Sequence, residues 1–433
     1  MNPIPRMIEA RQSFPPSRQL DLRALVAESF RASGVNRRMK AGMTIAVGVG
    51  SRGISNLDAI VRALLQVLKD AGAKPFIVPA MGSHGGATPD GQAKLLAGFG
   101  VTPESMGVPI EASMEVRKIG TAFGSRDVVF SAAALSADAL VPVNRVKLHT
   151  DFHHTHPEGA FGSGIQKMLA IGFGKQIGAN LTHRAAAHEG HEQAIREFAK
   201  TVLAAVPVLC GVAILEDQRH QTADVEVLPK EQIVEGEARL IERASQLMPR
   251  LPLDEIDFLI VDEMGKEISG TGMDTNIIGR DIMGYSASLR DSGHFPRIAH
   301  SPLIHRIFVR NLSAASKGNG TGLGLADFAT TRLVNSLDRR ATYVNSLTSL
   351  GLLTPKIPIH FDTDREAIEQ GLATLAADDT SRLRVVRIAN TLNLDRLLVS
   401  ESCAPLLQDR PGVTLAAQAE EMRFDESGNL PPL

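Results

Sequence analysis

Histidine and lysine crowd one stretch of this chain. Residues 143–183 read VNRVKLHTDFHHTHPEGAFGSGIQKMLAIGFGKQIGANLTH and hold His149, His153, His154, His156 and His183 with Lys147, Lys167 and Lys175. Imidazole titrates near neutrality, so it takes or gives a proton at working pH, and it also ligates metals. His153, His154 and His156 read equally well as a solvated, metal-sticky loop. His149 differs, because it directly follows a predicted strand and precedes Thr150 and Asp151, either of which can orient it by a hydrogen bond. Lys167 follows GSGIQ, where Ser163, Gly164 and the neighbouring glycines permit close backbone approach to a ligand. An amine there neutralises a phosphate or carboxylate, or serves as a nucleophile.

Two glycine-rich loops lie upstream. In GSHGGA, residues 82–87, His84 sits at the carboxyl end of a predicted strand, the edge where parallel α/β sheets bind ligands. The alternative is a loop histidine hydrogen-bonded to backbone. The loop 48–55, GVGSRGIS, joins a strand to a helix. Its backbone N–H groups around Ser51 and Gly53, with Arg52 adding a charged fork, suit a phosphate. An ordinary tight turn explains it equally well, since it is neither GxGxxG nor GxxxxGK[ST]. Zincin, Cys–His zinc, EF-hand and GxSxG patterns are all missing from the sequence. With so few closed-site ligands, a metal held mainly by an organic cofactor and completed by one histidine suits this supply.

The elements that position these residues alternate strand and helix. TIAVGVG at 44–50 reads as a buried strand, and a helix is predicted to start near Ser55, with Ser55 and Asp58 as a capping pair. Leu57, Ile60, Val61, Leu64, Leu65 and Leu68 give that helix one apolar face, and Gly72 ends it. PFIVPA is the next strand, Thr88 and Pro89 start the next helix, and ADALVPVNRV is a third strand running up to His149. VPVLCGVAILED reads as one long strand or a pair, and EGEARLIERASQLM as a helix. Beyond the prolines at 249 and 252, IDFLIVDEM, IHRIFVRNL and LRVVRIANTLNLDRLLVSE supply strands, and LADFATTRLVNSL a helix. The pattern predicts an α/β protein of two α/β domains with an active-site cleft between them. The expected division is 1–253, a cofactor-binding domain; 254–400, a second domain; and 401–433, a segment that packs on either.

A formal charge of -2, with Tyr 2 and Trp 0, argues against a nucleic-acid partner, which would need a basic face or stacking rings. Cys210 and Cys403 are too few for a disulfide framework. The opening residues lack the apolar core of a secretory signal, and no apolar run reaches membrane-spanning length. These features lead to the expectation of a cytoplasmic protein without a membrane partner.

The order of the pieces resembles the lactate racemase family, whose cofactor is a nickel-pincer nucleotide, Ni(II) pyridinium-3-thioamide-5-thiocarboxylic acid mononucleotide. Gly82-Ser83-His84 is similar to the family's first histidine site, and Lys147-Leu148-His149 to the strand end that supplies the second. Gly162-Ser163-Gly164-Ile165-Gln166-Lys167 resembles the segment whose lysine joins the cofactor, and His183, sixteen residues on, stands at the interval of the nickel-binding histidine. Ser51, Arg52 and Gly53 fall in the loop that resembles the cofactor-phosphate loop. The resemblance implies acid/base roles for His84 and His149, cofactor contacts through Ser51, Arg52, Gly53, Ser163, Gly164 and Lys167, and His183 on the metal. It implies a racemase or epimerase acting at C2 of a small 2-hydroxy acid, with cofactor-biosynthesis proteins as further partners.

Three features depart from the family pattern. The stretch between His149 and Lys167 is long, which leaves His156 as a rival; GSGIQK replaces SGGRK, and SRGIS replaces DxTRP. They favour a substrate other than lactate, and Asp274 and Asn276 in SGTGMDTNIIGR point toward a sugar acid. Arg145, Lys147, Arg280 and Lys317 are candidates for its carboxylate. Two other classes remain: an NAD-type oxidoreductase, which should carry the dinucleotide fingerprint, and a non-catalytic ligand- or metal-binding homologue.

Overall fold

The structure, a computed structural model, describes residues 4–51, 53–149, 160–280 and 301–433. The chain divides into two compact units, one of residues 16–248 and one of residues 249–433 together with the residues up to Pro15. The opening strand, β1 (Met7–Gln12), belongs to the latter.

In the unit of residues 16–248, β2 (Thr44–Val49), β3 (Lys74–Pro79), β6 (Ala139–Arg145), β7 (Cys210–Glu216) and β8 (Thr222–Pro229) form a sheet in the order β3-β2-β6-β7-β8. All neighbours pair in parallel except β7 and β8. The two-residue period of a strand explains the double-sided core. Ile45, Val47 and Val49 of β2 point into one apolar cluster, together with α1 (Leu22–Ala32) and α2 (Leu57–Asp70). Ala46 of β2 and Leu140 of β6 point into a second cluster, with α5 (Ile165–Lys167), α6 (Lys175–Glu189), α7 (His191–Ala205) and α8 (Ile233–Leu247). Helices on both faces are what an all-apolar parallel strand requires.

The apolar face expected for α2 is buried at all six of its positions. Its start differs from expectation. Asn56 occupies the N-cap position in the left-handed conformation, and Ser55 turns its N–H to Glu216 Oε1 at 2.8 Å instead of capping. The anticipated start of α3 (Pro89–Gly98) is present, with Thr88 Oγ1 accepting from Gly91 N–H, and the one-turn α4 (Pro103–Met106) follows it. A hairpin that the sequence reading passed over, β4 (Val116–Ala122) with β5 (Arg126–Ser131), turns at Phe123-Gly124, both at positive φ.

In the other unit, β9 (Glu255–Met264), β10 (Leu303–Leu312), β11 (Phe328–Thr330), β12 (Ile359–Phe361), β13 (Val385–Ile388), β14 (Arg396–Ser400) and β15 (Val413–Leu415) join β1 in the order β12-β11-β10-β9-β13-β14-β1-β15. The first five in that order pair in parallel and the last three attach antiparallel. Residues 401–433 therefore contribute a strand here. The segment LADFATTRLVNSL is not one helix. Phe328, Ala329 and Thr330 are buried as β11, and the Thr330 hydroxyl then accepts from Leu333 N–H to start a short helix. A buried ion cluster ties the sheet's strands to the helix Asp364–Ala373: Arg310 meets Asp262 at 2.8 Å and Asp364 at 2.7 Å, and Arg387 meets Asp262 at 2.7 Å.

Candidate active site

Parallel pairing brings the carboxyl ends of β2, β3 and β6 to one edge, where Val49 lies level with Pro79 and Val143. Across that edge runs the segment from Gly162 through α5 into a π-helical turn, Met168–Gly172. π-turns of this kind recur at functional sites. Gly82 N–H donates to Gly172 O at 3.0 Å, and Asn144 Nδ2 donates to Gly164 O at 2.7 Å. Gly48 is demanded by packing, since a Cβ there would lie 2.1 Å from Phe173 Cζ. Phe173 in turn stacks on Phe130 at 4.8 Å.

His84 is exposed at this edge and its Nδ1 forms a hydrogen bond with Ser51 Oγ. The loop that carries it is built from beneath. Gln92 Nε2 donates to Gly82 O at 2.9 Å and to His84 O at 3.3 Å. Lys175, fully buried, donates to Gln92 Oε1 at 3.1 Å and to Pro79 O at 2.5 Å. Burial pushes the Lys175 ammonium down to about 8. Gly82, Gly85 and Gly86 all sit at φ between 58 and 67°, the region that only glycine enters freely. Gln92 escaped the sequence reading because nothing in PDGQAKLL distinguishes it from a surface residue, and Lys175, counted there among the lysines of 143–183, carried no sign that it would be buried.

His149 is buried, and its Nε2 lies 2.5 Å from Lys167 Nζ, which also donates to Ser163 Oγ at 3.4 Å. A two-way backbone bridge, Lys147 N–H to Ser163 O at 2.9 Å and Ser163 N–H to Lys147 O at 2.8 Å, fixes the strand end to the lysine segment. A charged amine donates to that ring nitrogen only if the nitrogen keeps its lone pair, so Lys167 and His149 form a proton-sharing pair. The backbone beside Ser51 approaches the lysine segment: Met168 Cε, beside Lys167, lies 3.2 Å from where a Cβ on Gly50 would stand.

His183 sits on α6, half-buried, with its ring edge-on to His191 at 5.8 Å. Ala179, one turn earlier on α6, packs at 3.6 Å from the Cβ position of Gly82. Gly53 is exposed, and a Cβ there has open space apart from Phe99 Cε1 at 4.0 Å. Arg52, Thr150, Asp151, His153, His154 and His156 lie outside the described residues.

The glycines of GSGIQK have protein neighbours that a side chain would strike. A Cβ on Gly162 would meet Ile241 Cδ1 at 2.3 Å and Lys147 O at 2.4 Å, and one on Gly164 would meet Glu237 at 2.6 Å, so both make room for α8 and Gly162 also for the strand end. Among the carboxylate candidates, Arg145 pairs with Glu216, and Arg280 pairs with Asp327 at 2.6 Å. Lys317 is exposed at a left-handed position. In its own unit, Asp274 caps the turn α9 (Thr275–Ile278), accepting Asn276 N–H at 2.9 Å and Asn276 Nδ2 at 3.0 Å.

No helix among the described residues is long and apolar enough to cross a membrane. No family model matches the chain, and no curated protein matches it. Solved structures similar to it include the following two. The lactate racemase apoprotein from Thermoanaerobacterium thermosaccharolyticum is 15% identical with a TM-score of 0.49, over 90% of this chain and 99% of that one. A protein from Thermotoga maritima is 10% identical with a TM-score of 0.47, over 79% of this chain and 84% of that one.

Proposed function

We propose that this chain is a racemase or epimerase that inverts C2 of a small 2-hydroxy acid other than lactate, with His84 and His149 as its acid/base pair. In this reading Lys167 and His183, with Ser51, Arg52, Gly53, Ser163 and Gly164, hold a nickel-pincer nucleotide. The observation that carries the reading is the Lys167–His149 hydrogen bond, which joins a nucleophilic amine to an imidazole at the ligand-binding edge of a parallel sheet. The donor set fits such a group. An amine already hydrogen-bonded to a proton acceptor is chemically prepared for a covalent bond to an acyl carbon, and a half-buried imidazole on α6 offers nitrogen to a metal.

The hydrogen at C2 of a 2-hydroxy acid is only weakly acidic, so passing through the planar 2-keto acid avoids a bare carbanion. The nickel-pincer nucleotide, when bound, supplies a carbon that accepts hydride and returns it. The chain supplies the proton chemistry. His84 removes the hydroxyl proton at Nε2 in the tautomer that carries its hydrogen on Nδ1, a tautomer the Ser51 hydroxyl can accept from, and the same contact orients the ring. His149 offers Nε2 for the opposite enantiomer once Lys167 is engaged in holding the cofactor. A general base of this kind contributes ~10²–10⁴-fold each.

Deuterium tracing tests the proposal. A 2-deuterio hydroxy acid inverted by the purified enzyme should keep its deuterium at C2, with little exchange from solvent. Stoichiometric wash-in of solvent hydrogen at C2 would point to proton abstraction and refute the hydride route.

A further inference from the structure

The helical segment that carries Lys167 starts at Gly164, which has no side chain to offer its leading N–H groups. The cap comes from elsewhere. α8 runs alongside and turns Glu237, only 1% exposed, onto the segment. Its Oε2 accepts Gln166 N–H at 3.0 Å and Oε1 accepts Gln166 Nε2 at 3.3 Å, and the Ile165 N–H also acts on the carboxylate. A Cβ on residue 164 would stand 2.6 Å from the carboxyl carbon, so glycine is what lets the carboxylate close on the backbone. Ile241, four residues on and therefore on the same helical face, covers Gly162 in the same way. Residues 162–166 are thus laid against α8 on one side and stitched to Lys147 and Asn144 on the other. A carboxylate is a costly choice for a site that an apolar side chain would fill, unless its hydrogen bonds serve a purpose.

We propose that Glu237 is the positioning residue for Lys167: its ionised carboxylate caps the first turn of α5 and thereby holds the lysine amine at the His149 ring. The assignment rests on the reading of Lys167 as the amine that holds the cofactor. Glu237 itself touches neither substrate nor reacting atoms. The charge acting on it across the packing is Arg196 of α7, which stacks on Phe161 at 4.3 Å and pairs with Glu192. The acids of the adjoining β8, Asp224 and Glu226, are turned to Arg243 and Arg239, and Lys230 donates to Val206 O. Burial pushes the Glu237 carboxyl up to about 7, against the opposing pull of the Gln166 and Ile165 N–H groups and Arg196. Protonation replaces an acceptor with an O–H donor facing backbone N–H groups, so the cap weakens as pH falls through that value.

The test uses the full-length chain without cofactor, so it stands apart from the deuterium experiment. Trace acetylation with acetic anhydride, read peptide by peptide by mass spectrometry from about pH 5.5 to about pH 9, follows Lys167 against the exposed Lys94. Lys167 reactivity in the wild type should show an inflection near pH 7 that Lys94 lacks. Glu237→Gln should abolish that inflection and change the Lys167 rate about three- to ten-fold at pH 8, the worth of one net hydrogen bond. A folded Glu237→Gln protein whose Lys167 profile matches the wild type overturns the proposal. If that variant fails to fold, hydrogen exchange of the Ile165 and Gln166 amides in the wild type decides. Protection beyond the intrinsic rate should fall between pH 8 and pH 6, and flat protection overturns the proposal.

Discussion

Lys175 offers a test of the site's foundations that needs no substrate. Its ammonium is fully buried, held by Pro79 O and Gln92 Oε1, and burial lowers it from 10.5 to about 8. The unfolded chain keeps its proton up to the ordinary lysine value, so between these two pH values the unfolded state binds more protons than the folded one. Stability therefore rises with pH across that window, and the gain is lost as pH falls through about 8. From pH 7 to pH 9.5 this single group should add about 2 kcal/mol, at 1.36 kcal/mol per unit over the part of the window crossed. Lys175→Met removes the titration and leaves two buried acceptors without their donor, at about 1–3 kcal/mol each. Urea unfolding of wild type and variant at both pH values isolates the group, because every other titration is common to the two. The wild type should gain about 2 kcal/mol on the variant between the two conditions. Equal pH dependence in both proteins would refute a buried, destabilised ammonium beneath the His84 loop.

Further outcomes concern stability and inversion rate. Gly48→Ala should lower stability by about 1–3 kcal/mol in a thermal melt, because its Cβ falls on Phe173 and overpacks the core under the site. Arg310→Met leaves Asp262 and Asp364 buried with less compensation and should cost about 3–5 kcal/mol in denaturant unfolding. In chiral chromatography of reaction mixtures, His84→Ala and His149→Ala should each slow inversion by ~10²–10⁴. Ser51→Ala should cost only ~3–10-fold by loosening the His84 ring, and His156→Ala should leave the rate near wild type.

Much of the fold of residues 44–149 was legible, because α2 repeats leucine and isoleucine on one face and β2 and β6 are apolar on both. The short strands were not. β1 and β15 sit at the sheet's antiparallel end, half-exposed in places, and so carry only a few apolar positions. β11 was hidden inside an apparent helix because three residues set no period, and pairing with β10 decided them. At the candidate site, residue type pointed to His84, His149 and Lys167, and glycine marked where backbone must be approached closely. Glycine does not say by whom: at 162 and 164 the protein neighbours are α8 and, at 162, the Lys147 carbonyl. Glu237 and Gln92, and the supporting role of Lys175, were illegible for the same reason. Each looks like a surface residue in sequence, and only tertiary contacts bury it.

The central claim is tested most directly by elemental and mass analysis of the protein purified from cells able to make the nickel-pincer nucleotide. About one nickel per chain, with a covalent mass increment on Lys167 that disappears in Lys167→Ala and nickel that falls in His183→Ala, is the predicted result. Protein from those same cells carrying neither nickel nor an adduct on Lys167 would contradict it.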